Sequence, residues 1–228
     1  GAERNAEWIE NQPHREGGEC RWPMVVGDRP SWYPLEHSEW LGFAQVWASA
    51  HRLNRIVVDF LMNEKLPVIN LPPSASTICD NGAIEEMAYQ PIIDALEAGL
   101  IPIVFGDVAF DRSQGSAIVS TESIFTFLTQ HLRPSRVLIA GIESGVYANY
   151  PESKKILPSI TASDLDNIDL KGSQAIDVTG GMRGKVEAAI EMANLSPDTE
   201  VRIFSGENAG AIEEILLGAK SGTLVKRE

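Results

Sequence analysis

The chain predicts an α/β fold with a largely parallel sheet, and two features carry that prediction. Short apolar runs, Pro67-Val-Ile-Asn-Leu71, Ile101-Pro-Ile-Val-Phe105, Arg136-Val-Leu-Ile-Ala140 and Glu200-Val-Arg-Ile-Phe204, alternate with segments whose apolar residues recur at three and four. That alternation is the pattern of strands joined by helical crossovers. The second feature is Asp177-Val178-Thr179-Gly180-Gly181-Met182-Arg183-Gly184-Lys185, which leads into the periodic run Val186, Ala188, Ala189, Ile190 and Ala193. Two glycines ahead of a helix turn the backbone tightly and leave its first N–H groups free to hold an anion. Lys185 on the first turn opposes the helix dipole, so it points to a bound anion more than to local stability. An ordinary glycine-rich helix start fits the stretch equally well when it is read alone.

Residues 1–36 are the least regular part, since Pro13, Pro23, Pro30 and Pro34 interrupt every apolar run; only Pro23-Met-Val-Val reads as a strand. From Ser38 the pattern changes. Ser38-Glu39-Trp40 can cap a helix, and Trp40, Phe43, Val46, Trp47, Ala50, Leu53, Ile56, Val57, Phe60 and Leu61 form its apolar stripe. His51 lies off that stripe and reads as a solvent-facing or packing histidine. The strand at 67–71 ends in the hydroxyl-rich loop Pro72-Pro73-Ser74-Ala75-Ser76, a substrate-site candidate or a plain turn.

Asp80-Asn81-Gly82 predicts a hairpin turn, and a helix over 92–98 is capped by Gly99. The strand at 101–105 runs into Gly106-Asp107-Val108-Ala109-Phe110-Asp111, and a glycine at a strand's carboxyl end permits close approach to a ligand. Gln114-Gly115 turns the chain back, Ser120-Thr121-Glu122 opens a helix to Leu132, and His131 faces that helix's last carbonyls. The strand at 136–140 leads to Gly145-Val146-Tyr147. Residues 148–174, with Lys154, Lys155, Asp164, Asp166 and Asp169, read as a polar surface excursion. A helix over 209–217 and a strand over 222–225 close the chain.

A length of 228 residues, 43% of them hydrophobic, suffices for one large core or two modest lobes. The net charge of −13 argues against nucleic acid and anionic membranes as partners, because both need a basic footprint. No apolar run approaches the ~20 residues of a membrane span and the first residues carry no hydrophobic signal core, so the expectation is a cytoplasmic protein. Cys20, Cys79 and four scattered histidines give no metal spacing and no disulfide framework, which predicts free thiols and no protein-held metal.

These motifs together resemble those of the amino acid kinase family, most closely its isopentenyl phosphate kinases, from about Trp40 to Val225. The matching pieces are Gly106-Asp107-Val108-Ala109-Phe110-Asp111, Ser120-Thr121-Glu122, Gly145-Val146-Tyr147, Asp177-Val-Thr-Gly-Gly-Met with Lys185, Phe204-Ser205-Gly206, and the substrate-side loop Leu71-Pro-Pro-Ser-Ala-Ser76. The resemblance implies a three-layer αβα sandwich. Its segments would be an atypical stretch 1–36, an acceptor lobe 37–133 and a nucleotide lobe 134–228. It also implies transfer of the ATP γ-phosphoryl group to isopentenyl phosphate, with Mg²⁺ on the nucleotide and a homodimeric assembly. By the same resemblance Gly106 lies against the substrate phosphate, Gly181 and Lys185 contact the nucleotide phosphates, and Tyr147 lies near the nucleotide. It assigns no catalytic residue, and Asp177 is either a positioning residue or a turn cap.

Three family features are not found. The Lys-x-Gly-Gly-Ser strand and the Ser-Phe-Gly-His loop have no match: Gly17-Gly18 lacks the flanking lysine, and His14 and His37 lack the right neighbours. Ile142 stands where members often carry an aspartate. Residues 1–36 therefore read as native but divergent, truncated or frame-shifted. A catalytically impaired nucleotide-binding or regulatory member, or a kinase for another acceptor such as a uridylate or an amino acid, stays open beside the kinase reading.

Overall fold

The computed structural model describes residues 37–149, 153–165 and 181–227; the readings for residues 1–36, Asp166, Asp169, Asp177 and Gly180 lie outside them. Helix α1 (His37–Asn63) leads into β1 (Val68–Asn70), a 3₁₀ turn (Pro73–Ala75), and the hairpin β2 (Ile78–Asp80) and β3 (Ala83–Glu86). Asn81 and Gly82 carry that hairpin with φ of +48° and +82°, the paired positive angles that an Asn-Gly turn supplies. Next come α2 (Gln90–Glu97), β4 (Ile101–Ile103), β5 (Asp107–Asp111), β6 (Gly115–Val119) and α3 (Thr121–Leu132). The second half holds β7 (Arg136–Gly141), β8 (Tyr147–Asn149), β9 (Ser153–Ile156), β10 (Ser159–Ile160), α4 (Ala162–Leu165), α5 (Gly181–Leu195), β11 (Glu200–Ser205), α6 (Ala211–Leu216) and β12 (Thr223–Val225).

Strand pairing follows the connections for most pairs. β1 runs parallel to β4, β2 to β5 and β7 to β11, each pair separated in sequence by helix-containing crossovers. The hairpins β2/β3, β5/β6 and β8/β9 are antiparallel, and β12 joins β11 antiparallel while lying parallel to β10. One sheet has the order β10-β12-β11-β7 and another β3-β2-β5-β6.

Two apolar cores hold these sheets. One gathers Val137, Val146, Ile160, Val186, Met192, Val201 and Ile203 between α5 and the β7/β11/β12 strands. The other gathers Cys79, Ile92, Ala109, Val119, Ile124 and Leu128 between β2, β5, β6 and helices α2 and α3. Each fully buried Ile or Val in them contributes about 1.5–3 kcal/mol relative to exposure. Helix α3 packs on α5, which joins the halves.

Four expectations are corrected. The strand expected over 101–105 ends at Ile103, and the motif after Gly106 forms a new strand in a different sheet, because Asp107 begins it with its own partners. The second half of the stripe expected to bury α1 does not face inward: Trp40 and Phe43 pack on Phe110, but Leu53, Ile56 and Phe60 are more than 60% exposed, while Asn54 and Val58 are buried. Periodicity tells which residues share a face, and the sheet decides which face it covers. The supposed polar excursion contains β10, whose Ile160 is fully buried beside β12, since strand pairing outweighs local polarity. Lys185 lies one turn inside α5, because Gly181 itself takes the first helical position with φ of +61°.

Candidate active site

Gly106 sits between the end of β4 and the start of β5, where the chain crosses from one sheet to the other. A β-carbon there would meet the Val119 carbonyl oxygen at 3.4 Å and the Thr121 hydroxyl at 3.5 Å, so the glycine lies directly against the start of α3. That start is well built. Ser120 has extended backbone angles and its Oγ accepts from the Ser123 N–H at 3.0 Å, leaving the remaining first-turn N–H groups free of the side-chain cap.

Gly106, Asp107, Ser120, Thr121 and Lys185 line one cleft of about 640 Å³. Its inner wall is apolar, formed by Val137, Leu138, Ile139 and Ala140 of β7 with Ile118, Phe125 and Met192. β7 is the last strand of its sheet among the described residues. The Lys185 ammonium is half-sheltered and pairs with Glu122 at 3.2 Å, which ties α5 to the first turn of α3 across the cleft. An ammonium fixed beside a helix N-terminus is a site that a phosphate can enter with little reorganisation.

Asp107 holds the floor. Its side chain is wholly buried, and Oδ2 accepts from the Ser74 backbone N–H at 3.1 Å while Oδ1 accepts from the Val108 N–H at 2.9 Å. His51 reaches the same carboxylate, with Nε2 3.2 Å from Oδ2 and 3.4 Å from the Ser74 hydroxyl. Of the two readings of His51, solvent-facing is corrected and packing is kept, with a polar contact added: the inward face of α1 runs through His51, Asn54 and Val58, so the imidazole is aimed at the strand end.

A model of the family described as the amino acid kinase family matches residues 5–205. The chain belongs to the amino acid kinase family. Isopentenyl phosphate kinase of Methanothermobacter thermautotrophicus is 32% identical over 183 residues, covering 78% of this chain and 67% of the relative. The enzyme of the same name from Methanocaldococcus jannaschii is 30% identical over 195 residues, covering 80% of this chain and 66% of the relative. The chain thus spans about two thirds of the length of these curated relatives. A solved isopentenyl phosphate kinase superposes with a TM-score of 0.71 at 27% identity, covering 85% of this chain and 74% of that one. The amino acid kinase α/β fold expected from the sequence is therefore the fold this chain has.

Of the family-motif residues, Gly106 and Lys185 share the cleft, while Gly181 and Tyr147 are not among the residues lining it. Gly181 is buried at the head of α5, and Tyr147 lies on the β8/β9 hairpin opposite Ile156. Sequence reasoning missed Glu122 as the partner of Lys185 and Asp107 as the tie to the Ser74 loop. Both pairings span long sequence separations, and the one local signal was that Glu122 follows the Ser120 cap.

Proposed function

We propose that this protein is an ATP-dependent kinase that phosphorylates isopentenyl phosphate to isopentenyl diphosphate. An acceptor phosphate oxygen attacks the γ-phosphorus, the bond to the β,γ-bridging oxygen breaks, and ADP leaves. Such transfers need positioning and charge neutralisation more than covalent help from the protein. The observation that carries the reading is that Gly106 and Lys185 line the same cleft, whose inside is formed by aliphatic side chains. A phosphate with a short branched hydrocarbon tail matches a polar mouth over an apolar wall better than a nucleobase or a zwitterionic amino acid does. The relatives named above support the same acceptor.

In this reading Gly106 gives the acceptor phosphate close access to backbone, and Lys185 and the Gly181 turn take the nucleotide phosphates. Tyr147 stands near the nucleotide, residues 37–133 form the acceptor half, and residues 134–228 form the nucleotide half. Among the described residues no group of three or more His, Cys, Asp or Glu is gathered to cage a metal. In this reading Mg²⁺ arrives on the triphosphate and keeps most of its waters. No helix of the described residues is long and apolar enough to cross a membrane. The buried free thiol of Cys79 accords with work in the reducing cytoplasm.

ADP release measured with isopentenyl phosphate, uridylate and amino acids as competing acceptors tests the proposal. Turnover with isopentenyl phosphate well above the others is expected, and turnover with none of them would refute it. Lys185→Ala removes one charge-assisted contact and should weaken ATP–Mg²⁺ binding by roughly ten- to a hundredfold in calorimetric titration. Unchanged ATP affinity would remove Lys185 from the site.

A further inference from the structure

The Asp107 carboxylate is wholly buried beside the cleft, and the established motif reading gives it no task. A buried carboxylate is costly unless its oxygens are hydrogen-bonded, so the groups that reach it are what make the local structure affordable. Three separate segments supply them. His51 comes from α1, Ser74 from the turn after β1, and Val108 from β5 itself. The imidazole is held in turn by two rings: Trp47, one helical turn earlier, lies 4.3 Å away between centroids, and Phe105, beside Gly106, meets it edge-on at 5.1 Å. With the ring fixed on both sides, Nε2 meets Asp107 Oδ2 at 3.2 Å and, less closely, the Ser74 hydroxyl at 3.4 Å.

We propose that His51 is a positioning residue for the acceptor phosphate. It clamps the Pro72–Ser76 loop onto the Gly106–Asp107 turn through the buried Asp107 carboxylate, so that the backbone facing the acceptor is fixed before the acceptor arrives. The proposal rests on the kinase reading above and adds a residue to it. His51 makes no contact with the reacting atoms. Its effect passes through Asp107, whose two oxygens hold the Ser74 and Val108 N–H groups on either side of the turn. Lys185 is tied to Glu122 and shares no partner with the His51–Asp107–Ser74 set, so loosening the His51 clamp should disturb the acceptor side and spare the nucleotide side.

Two substitutions of similar size separate this role from general packing. His51→Gln keeps an N–H donor near the position of Nε2, whereas His51→Asn places its amide near Nδ1 and leaves Asp107 unreached. Hydrogen exchange followed by mass spectrometry reads the clamp without any substrate. Peptides covering residues 72–77 should exchange roughly tenfold faster in His51→Asn and near the wild-type rate in His51→Gln, with β11 slow in both. In steady-state kinetics His51→Asn should raise the KM for isopentenyl phosphate roughly tenfold while the KM for ATP stays within about twofold.

Unchanged loop exchange in His51→Asn overturns the clamp, as does a Gln variant as loose as the Asn variant. Equal rises in both KM values overturn the positioning role and leave His51 a packing residue. A wild-type chain that neither binds nor turns over isopentenyl phosphate overturns the acceptor assignment together with the proposed function. The exchange comparison then shows whether the clamp itself stands.

Discussion

Gly106 and Gly222 look alike in the sequence and carry opposite burdens. At Gly106 a methyl group would sit at ordinary van der Waals distance from Val119 and Thr121, so the fold can accept alanine there. At Gly222 it would overlap the Ile203 carbonyl and Phe204, and φ of +80° adds backbone strain. Gly106→Ala is therefore expected to melt within a few degrees of wild type while raising the KM for the acceptor about tenfold; Gly222→Ala should lose about 2–4 kcal/mol of stability. Thermal melts of the two variants beside acceptor kinetics check the contrast. A Gly106→Ala protein with wild-type KM would show that no ligand approaches that turn. Cys79 gives a second test at this scale. Burial first, and the nearby Asp111 charge second, push its thiol up from 9.0 to about 11. The unfolded chain thus loses this proton before the folded chain does, and stability falls as pH rises from about 9 to 11, by roughly 2–3 kcal/mol in full. Denaturant midpoints across that window should drop for wild type, and a Cys79→Ala chain should keep only the part of the slope due to other groups.

Helix α3 is the element that the sequence made most legible, because its start is decided locally. Ser120 accepts from Ser123 N–H within one turn, and such a cap can be recognised without knowing what the helix packs against. Ser120→Ala should cost about 1 kcal/mol, read as a lower denaturant midpoint with unchanged slope. An unchanged midpoint would mean that neighbouring water or the Ser123 hydroxyl already replaces the cap. The Asn81-Gly82 hairpin was legible for the same reason, since both residues tolerate the positive φ that the turn demands. Helix α1 was legible only in part. Its length follows from periodicity, but the inward face at His51, Asn54 and Val58 depends on where β1 and β5 lie, which no local pattern records. The site divides along the same line. Gly106 and Lys185 stood out because glycine at a strand end and lysine near a helix start are unusual in themselves. Asp107, Glu122 and His51 are ordinary residues locally, and only the tertiary fold brings them together.

At the scale of the whole molecule, the outward face of α1 is an apolar surface that the described residues leave uncovered. Leu53, Ile56, Val57 and Phe60 follow the i, i+3, i+4, i+7 spacing of a helical stripe, yet they are 65%, 62%, 43% and 63% exposed. Burying each such side chain stabilises by about 1.5–3 kcal/mol, so a helix face of this kind is costly to leave in water. Two copies meeting along α1 would cover it symmetrically, as a two-fold interface requires, and this is an argument for the homodimer that the family resemblance implies. Sedimentation equilibrium should find wild type as a dimer at micromolar concentration. Leu53→Glu with Phe60→Glu places two carboxylates where the copies would meet and should weaken association at least about a hundredfold, leaving a monomer at the same concentration. The cleft lined by Gly106 and Lys185 lies within one chain, so that monomer should still bind ATP–Mg²⁺. A wild-type chain that sediments as a monomer, or a double variant that sediments as wild type does, would show that α1 is not where two copies join.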